Sequence, residues 1–140
     1  MRVPGGIAAT PTAPRFRLTE YVVPEEDLHV AVADAFRVLL PKGAVFTSWD
    51  LANAKSAVEG ARKKRRGCLA GWPDCSVWWN NRVVLLELKR ERGGVLSPAQ
   101  KVLHPQLAEQ GFPVAVCRTV VEALDAVSAH GVPLRGRVAA

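Results

Sequence analysis

What most limits the folds open to this chain is a pair of strand-forming runs, Cys75-Ser76-Val77-Trp78-Trp79 and Arg82 to Lys89, joined only by Asn80-Asn81. Asparagine tolerates positive φ better than most residues, so this dipeptide predicts a two-residue hairpin turn. A two-residue turn leaves one register. Trp79 pairs with Arg82, Val77 with Val84, Cys75 with Leu86 and, one step further out, Asp74 with Glu87. Directly opposed residues lie about 4.5–5.5 Å apart at Cα and point to one face, and alternate residues of a strand share that face. Asp74, Glu87 and Lys89 are therefore expected to converge at one end of the sheet.

Opposed carboxylates repel unless something positive lies between them. A divalent cation meets that need: Mg²⁺ prefers hard oxygen ligands and takes one or two carboxylates while keeping several waters. A lysine beside it can orient, or help to deprotonate, a water for attack on phosphorus. The plainer reading is a cross-strand salt-bridge cluster. Leu85, Leu86 and Leu88 argue against it, because a purely solvated edge has no need of apolar neighbours around its charges.

The remaining pattern is α/β. Leu28, Val32, Ala35 and Leu39 recur on one helical face, and Pro24 followed by Glu25, Glu26 and Asp27 supplies a suitable first turn, so a helix is predicted from Pro24 to about Leu40. Ala44 to Trp49 reads as a strand, and Asp50 to Ala70 as a long surface connection. Ser97-Pro98-Ala99-Gln100 has the form of a capping box with proline at the first helical position, opening a helix to about Gln110. Pro113 to Cys117 is a short strand, and Thr119-Val120-Val121-Glu122 opens a last helix ending near Gly131. The expected order is αβββαβα, a mixed sheet flanked by helices, with the Ser97 helix as a crossover that makes the Pro113 strand parallel to the Arg82 strand. Trp78 and Trp79 fall on opposite faces, so at most one packs against helices.

At 140 residues there is room for one compact domain. Residues 1–20, rich in Pro, Gly, Ala and Thr at their start, read as a flexible tail without the basic-then-apolar pattern of a secretory signal, and 21–140 as the single domain. No apolar run is long enough to span a membrane. Cys68, Cys75 and Cys117 have no CxxC spacing, which fits reduced thiols in the cytoplasm and argues against a zinc knuckle. The formal charge is +6, concentrated in Arg62-Lys63-Lys64-Arg65-Arg66 with Lys55 just before. Clustered cations are rewarded by phosphates through counterion release, although a solvated loop explains such a run equally well.

Taken together, Gly71-Trp72-Pro73-Asp74, Glu87-Leu88-Lys89 and Ser97-Pro98-Ala99-Gln100 resemble the VRR-Nuc branch of the PD-(D/E)XK nucleases, over about Glu25 to Leu134. The resemblance implies a restriction-endonuclease-like core in which Asp74, Glu87 and the Leu88 carbonyl hold Mg²⁺ or Mn²⁺ and Lys89 positions the attacking water. It also implies a glutamate on the first helix and a glutamine matching Gln100. Glu25 continues the packing face of Leu28 and Val32 whereas Glu26 lies further round, so Glu25 is the choice; a first-turn carboxylate satisfying the helix dipole is its competitor. Gln100 is explained about as well by the capping box. Trp72, His29 and the lack of arginine in Gly67-Cys68-Leu69-Ala70 depart from the family pattern and bear on substrate fit. His29, His104 and His130 lack metal-ligand spacing and receive no role.

The function expected from these residues is metal-dependent hydrolysis of DNA, with Lys55 and Arg62, Lys63, Lys64, Arg65 and Arg66 gripping the phosphate backbone. Stand-alone members of the branch further imply a homodimer acting on branched DNA such as four-way junctions. The rival is a non-catalytic nucleic-acid-binding module on the same scaffold. A third reading, a structural protein with a salt-bridged hairpin, predicts no salt-dependent DNA affinity.

Overall fold

The computed structural model describes residues 15–17, 25–49 and 55–139. In chain order they form β1 (Arg15–Arg17), α1 (Glu25–Leu39), β2 (Val45–Ser48), α2 (Ala57–Arg65), β3 (Cys75–Trp79), β4 (Arg82–Leu88), α3 (Pro98–Glu109), β5 (Val114–Cys117), α4 (Val120–Ala129) and β6 (Arg137–Ala139).

The main sheet has four strands in the order β2-β3-β4-β5. Asn80 and Asn81 both take positive φ, 44° and 63°, as a type I′ turn requires. The register is the one that turn dictates: Trp79 with Arg82, Val77 with Val84, Cys75 with Leu86. Asp74 and Glu87 sit one step beyond the last of these pairs. β2 is antiparallel to β3, and β5 is parallel to β4 as a crossover through α3 demands.

Alternation along the strands divides the sheet into two faces. One carries Val77, Val84, Leu86, Leu88 and Cys117, which bury against Leu28, Val32, Phe36 and Leu39 of α1 and Ala123, Leu124 and Val127 of α4. Trp79 packs at the margin of this core, while Trp78 on the opposite face is 43% exposed. The second face carries Ser76, Leu85 and Glu87, all buried, and α3 turns Gln100, Leu103 and His104 inward.

Two expectations need correction. The stretch from Asp50 to Ala70 is not all connection: residues 55–70 contain α2, while residues 50–54 lie outside the described part. Apolar periodicity misses α2 because none of its residues is buried. Its support is local. Ser56 caps it by accepting from Glu59 N–H, and the Glu59 side chain accepts from Lys55 N–H and pairs with Lys63 one turn on. Basic residues fill its last turn, where the helix dipole favours them. Ser56-Ala57-Val58-Glu59 was the available signal. Second, residues 15–17, assigned to the N-terminal tail, form β1 and pair in parallel with β6. That pairing joins opposite ends of the chain, and no local pattern encodes it. Residues 1–14 and 18–20 of that tail lie outside the described residues.

Candidate active site

Asp74 lies just before β3, with its backbone carbonyl held by Trp49 N–H at 2.8 Å. Its carboxylate does more than face β4. Oδ2 accepts from Leu88 N–H at 2.7 Å, so the side chain takes the next rung of the ladder where β3 has no residue to offer. His29 Nε2 of α1 stands 3.8 Å from the same oxygen. The preceding loop is pinned from the other side. Gly71 has φ +83°, and a Cβ there would fall 2.7 Å from the backbone of Ala99 and Gln100. Only glycine lets the Gly71-Trp72-Pro73-Asp74 turn lie against the start of α3 in this way.

Glu87 is 1% exposed. Its Oε1 accepts from Gln100 Nε2 and lies 3.2 Å from Lys89 Nζ. Its Oε2 is buried with no hydrogen-bond partner. Burial, and then the neighbouring Asp74 charge, push the Glu87 carboxyl up to about 7, against the opposing pull of Lys89 and Gln100. Two carboxylates within electrostatic reach, one of them with an orphaned buried oxygen, form a hard-oxygen donor set suited to a divalent cation such as Mg²⁺. Among the described residues no group of three or more His, Cys, Asp and Glu side chains is arranged around a metal position.

Gln100 fills both of the roles open to it. Its Oε1 accepts from Ser97 N–H at 2.8 Å and its backbone N–H donates to Ser97 Oγ, completing the capping box, while the amide nitrogen is left to donate to Glu87. An amide has a separate donor and acceptor, so one side chain serves both.

Glu25 opens α1 half-buried, whereas Glu26 is exposed. Among the described residues Glu25 makes no hydrogen bond or ion pair, and the α1 side chain that meets Asp74 is His29, one turn later. Two histidines therefore belong to this region although their spacing had suggested nothing. His104 is buried one turn after Gln100 on the same face of α3, and its Nε2 lacks a partner. Burial, and then the Lys89 charge, hold its pKa below the usual value, against the Asp74 charge and a hydrogen bond to the Gly71 backbone. The i, i+4 relation to Gln100 was the signal for it.

The basic run lies apart from these carboxylates in sequence, at the end of α2. Arg62, Arg65 and Arg66 line an open pocket of about 570 Å³ with Val58 and Ala61, one stripe of the helix. Lys55 is exposed at the approach to the helix, Lys63 pairs with Glu59, and Lys64 is exposed in the last turn.

The VRR-NUC domain family model matches residues 24–121, well over half of the chain. The chain belongs to the VRR-NUC family. A solved structure described as a VRR_NUC domain protein superposes with a TM-score of 0.56 at 19% identity, covering 81% of this chain and 91% of that one. At that identity the likeness speaks to the fold, and it agrees with the α/β architecture above. No curated protein matches the chain. Membership makes this VRR-NUC chain a member of a nuclease family, with DNA as the implied substrate. No helix among the described residues is long and apolar enough to cross a membrane.

Proposed function

We propose that this VRR-NUC domain is a metal-dependent DNA endonuclease whose centre is Asp74, Glu87 and Lys89, with Gln100 holding Glu87 in place and Glu25 as a further carboxylate from α1. The observation that carries the reading is the Glu87 carboxylate: buried, fixed at one oxygen by Gln100 and Lys89, and left without a partner at the other. Burying an ionisable group in this way costs free energy that a salt bridge alone does not recover, which argues for a ligand at the second oxygen.

Asp74, Glu87 and the Leu88 carbonyl would hold Mg²⁺ or Mn²⁺, which when bound supplies charge stabilisation at the scissile phosphate. Lys89 orients the attacking water and stabilises charge developing on phosphate oxygens. The water oxygen bonds to phosphorus and releases a proton to solvent, and the leaving oxygen takes up a proton from solvent as its bond to phosphorus breaks. Gln100, locked by its capping bonds, keeps Glu87 from rotating away. The cations of α2, with Lys55, grip phosphates without reading bases.

Selectivity for branched DNA, and a homodimer that places two centres about a two-fold axis, follow from the resemblance to stand-alone members of the family. The test is cleavage of labelled four-way junctions, flaps and linear duplex in Mg²⁺ or Mn²⁺. The expected outcome is junction cutting that Lys89→Ala lowers by about 10²–10⁴-fold with DNA binding retained. Equal cutting of plain duplex would sink the branched-DNA part. Binding without cleavage in either metal would leave a non-catalytic binding module.

A further inference from the structure

Ser76 is fully buried, and its hydroxyl receives two indole N–H groups: Trp78 Nε1 at 2.8 Å and Trp49 Nε1 at 3.1 Å. Neither indole is itself buried. Trp78 is 43% exposed and Trp49 36% exposed, and the Trp72 ring stands edge-on to Trp49 at 5.9 Å. Two tryptophans held by one interior hydroxyl, each with more than a third of its surface open to solvent, form a fixed and partly exposed aromatic pair.

Ser76 and Trp78 alternate along β3 on the face opposite the main core, while Trp79 turns toward that core. Trp49 is bonded through its backbone to Asp74, and Trp72 lies two residues before Asp74. The two indoles, gathered on one hydroxyl, thus lie on the sheet face that also carries Asp74, with Trp78 four residues, about 13 Å, along the strand from Asp74. Every base has a π-face, and single strands bind proteins through fixed aromatic rings combined with positive charge. Here the rings are held before any ligand arrives, and the chain carries +6.

We propose that Trp49 and Trp78, held by Ser76, are a stacking platform for unpaired bases of single-stranded DNA entering or leaving the Asp74–Glu87 centre. The ligand class rests on the nuclease reading above. Cutting is then favoured where a single strand adjoins the scissile bond.

Binding measured in EDTA separates the platform from the chemistry. The probes are a labelled short single strand, the same strand with abasic sites, and a blunt duplex. Trp78→Ala is expected to weaken the intact single strand about tenfold, and Trp49→Ala/Trp78→Ala more, with the duplex unaffected. Trp78→Phe keeps a ring and most of the affinity. Wild-type protein should bind the abasic strand at least about tenfold more weakly than the intact one. That comparison uses unaltered protein, so it decides the matter even if an alanine variant fails to fold.

Equal affinity of wild-type protein for intact and abasic strands overturns the proposal. So does a Trp78→Ala protein whose sedimentation shows a broken dimer while its strand affinity is unchanged, which would make a second copy the occupant. Base-dependent binding by a protein that cuts nothing in Mg²⁺ or Mn²⁺ supports the platform and rejects the nuclease reading. Cleavage with base-independent binding does the reverse.

Discussion

Glu87 shows how a single residue can be set against its surroundings. Its pKa is pushed up to about 7, chiefly by burial and next by Asp74, from an ordinary carboxylate value near 4.5. Between those two values the folded protein binds more protons than the unfolded chain, so metal-free stability falls as pH rises through that window and levels off above it. Melting of the protein in EDTA should therefore show Tm decreasing from about pH 5 to about pH 7, and Glu87→Gln should flatten the dependence. A Tm that rises over the same range in wild-type protein would mean that Glu87 is ionised without cost. The register from Trp79–Arg82 to Cys75–Leu86, which leaves Asp74 and Glu87 one step beyond it, was legible from Asn80-Asn81 alone, because a two-residue turn leaves no freedom of register. That Asp74 would bond Leu88 N–H, or that His29 and His104 would approach the same centre, was not legible. Each depends on how separate elements pack.

Among the elements, α2 is the exception. α1, α3 and α4 each bury a face, whereas α2 buries nothing and is held by its cap, its Glu59–Lys63 pair and the favourable charge of its last turn. Replacing its exposed cations removes part of the charge that favours its last turn but no core contact, so the sheet and its packed helices should stay intact while DNA binding changes. Arg62→Ala/Arg65→Ala/Arg66→Ala is expected to reduce the slope of log affinity against log salt on duplex DNA by about 2.7, at about 0.9 for each phosphate no longer neutralised. The weakening should be uniform across sequences. Titrations across a salt series read this directly, and an unchanged slope would place the phosphate grip elsewhere. α3 works in the opposite way. Its first turn joins capping to the site, so Gln100 is both a helix-start residue and the partner of Glu87.

For the whole molecule, a metal held at the proposed carboxylate centre would couple ligand binding to stability. Mg²⁺ or Mn²⁺ bound only by the folded protein should raise Tm, by about 2.7 kcal/mol of stabilisation at a hundredfold excess over Kd. Scanning calorimetry should show this shift in wild-type protein and its loss in Asp74→Asn and Glu87→Gln. An equal shift in all three would mean that the ion binds elsewhere. By itself the sequence determined whatever is local or counts outward from a turn: the hairpin and its register, the caps at Ser97 and Thr119, the parallel crossover and the shared end of Asp74, Glu87 and Lys89. Only the tertiary structure decided the β1–β6 pairing of distant chain segments, the approach of His29 and His104, and the two indoles gathered onto Ser76. The physical reason is one of range. Turn geometry and helix capping act within a few residues, whereas these longer-range pairings exist only once the two faces of the sheet have been assigned and the helices have packed against them.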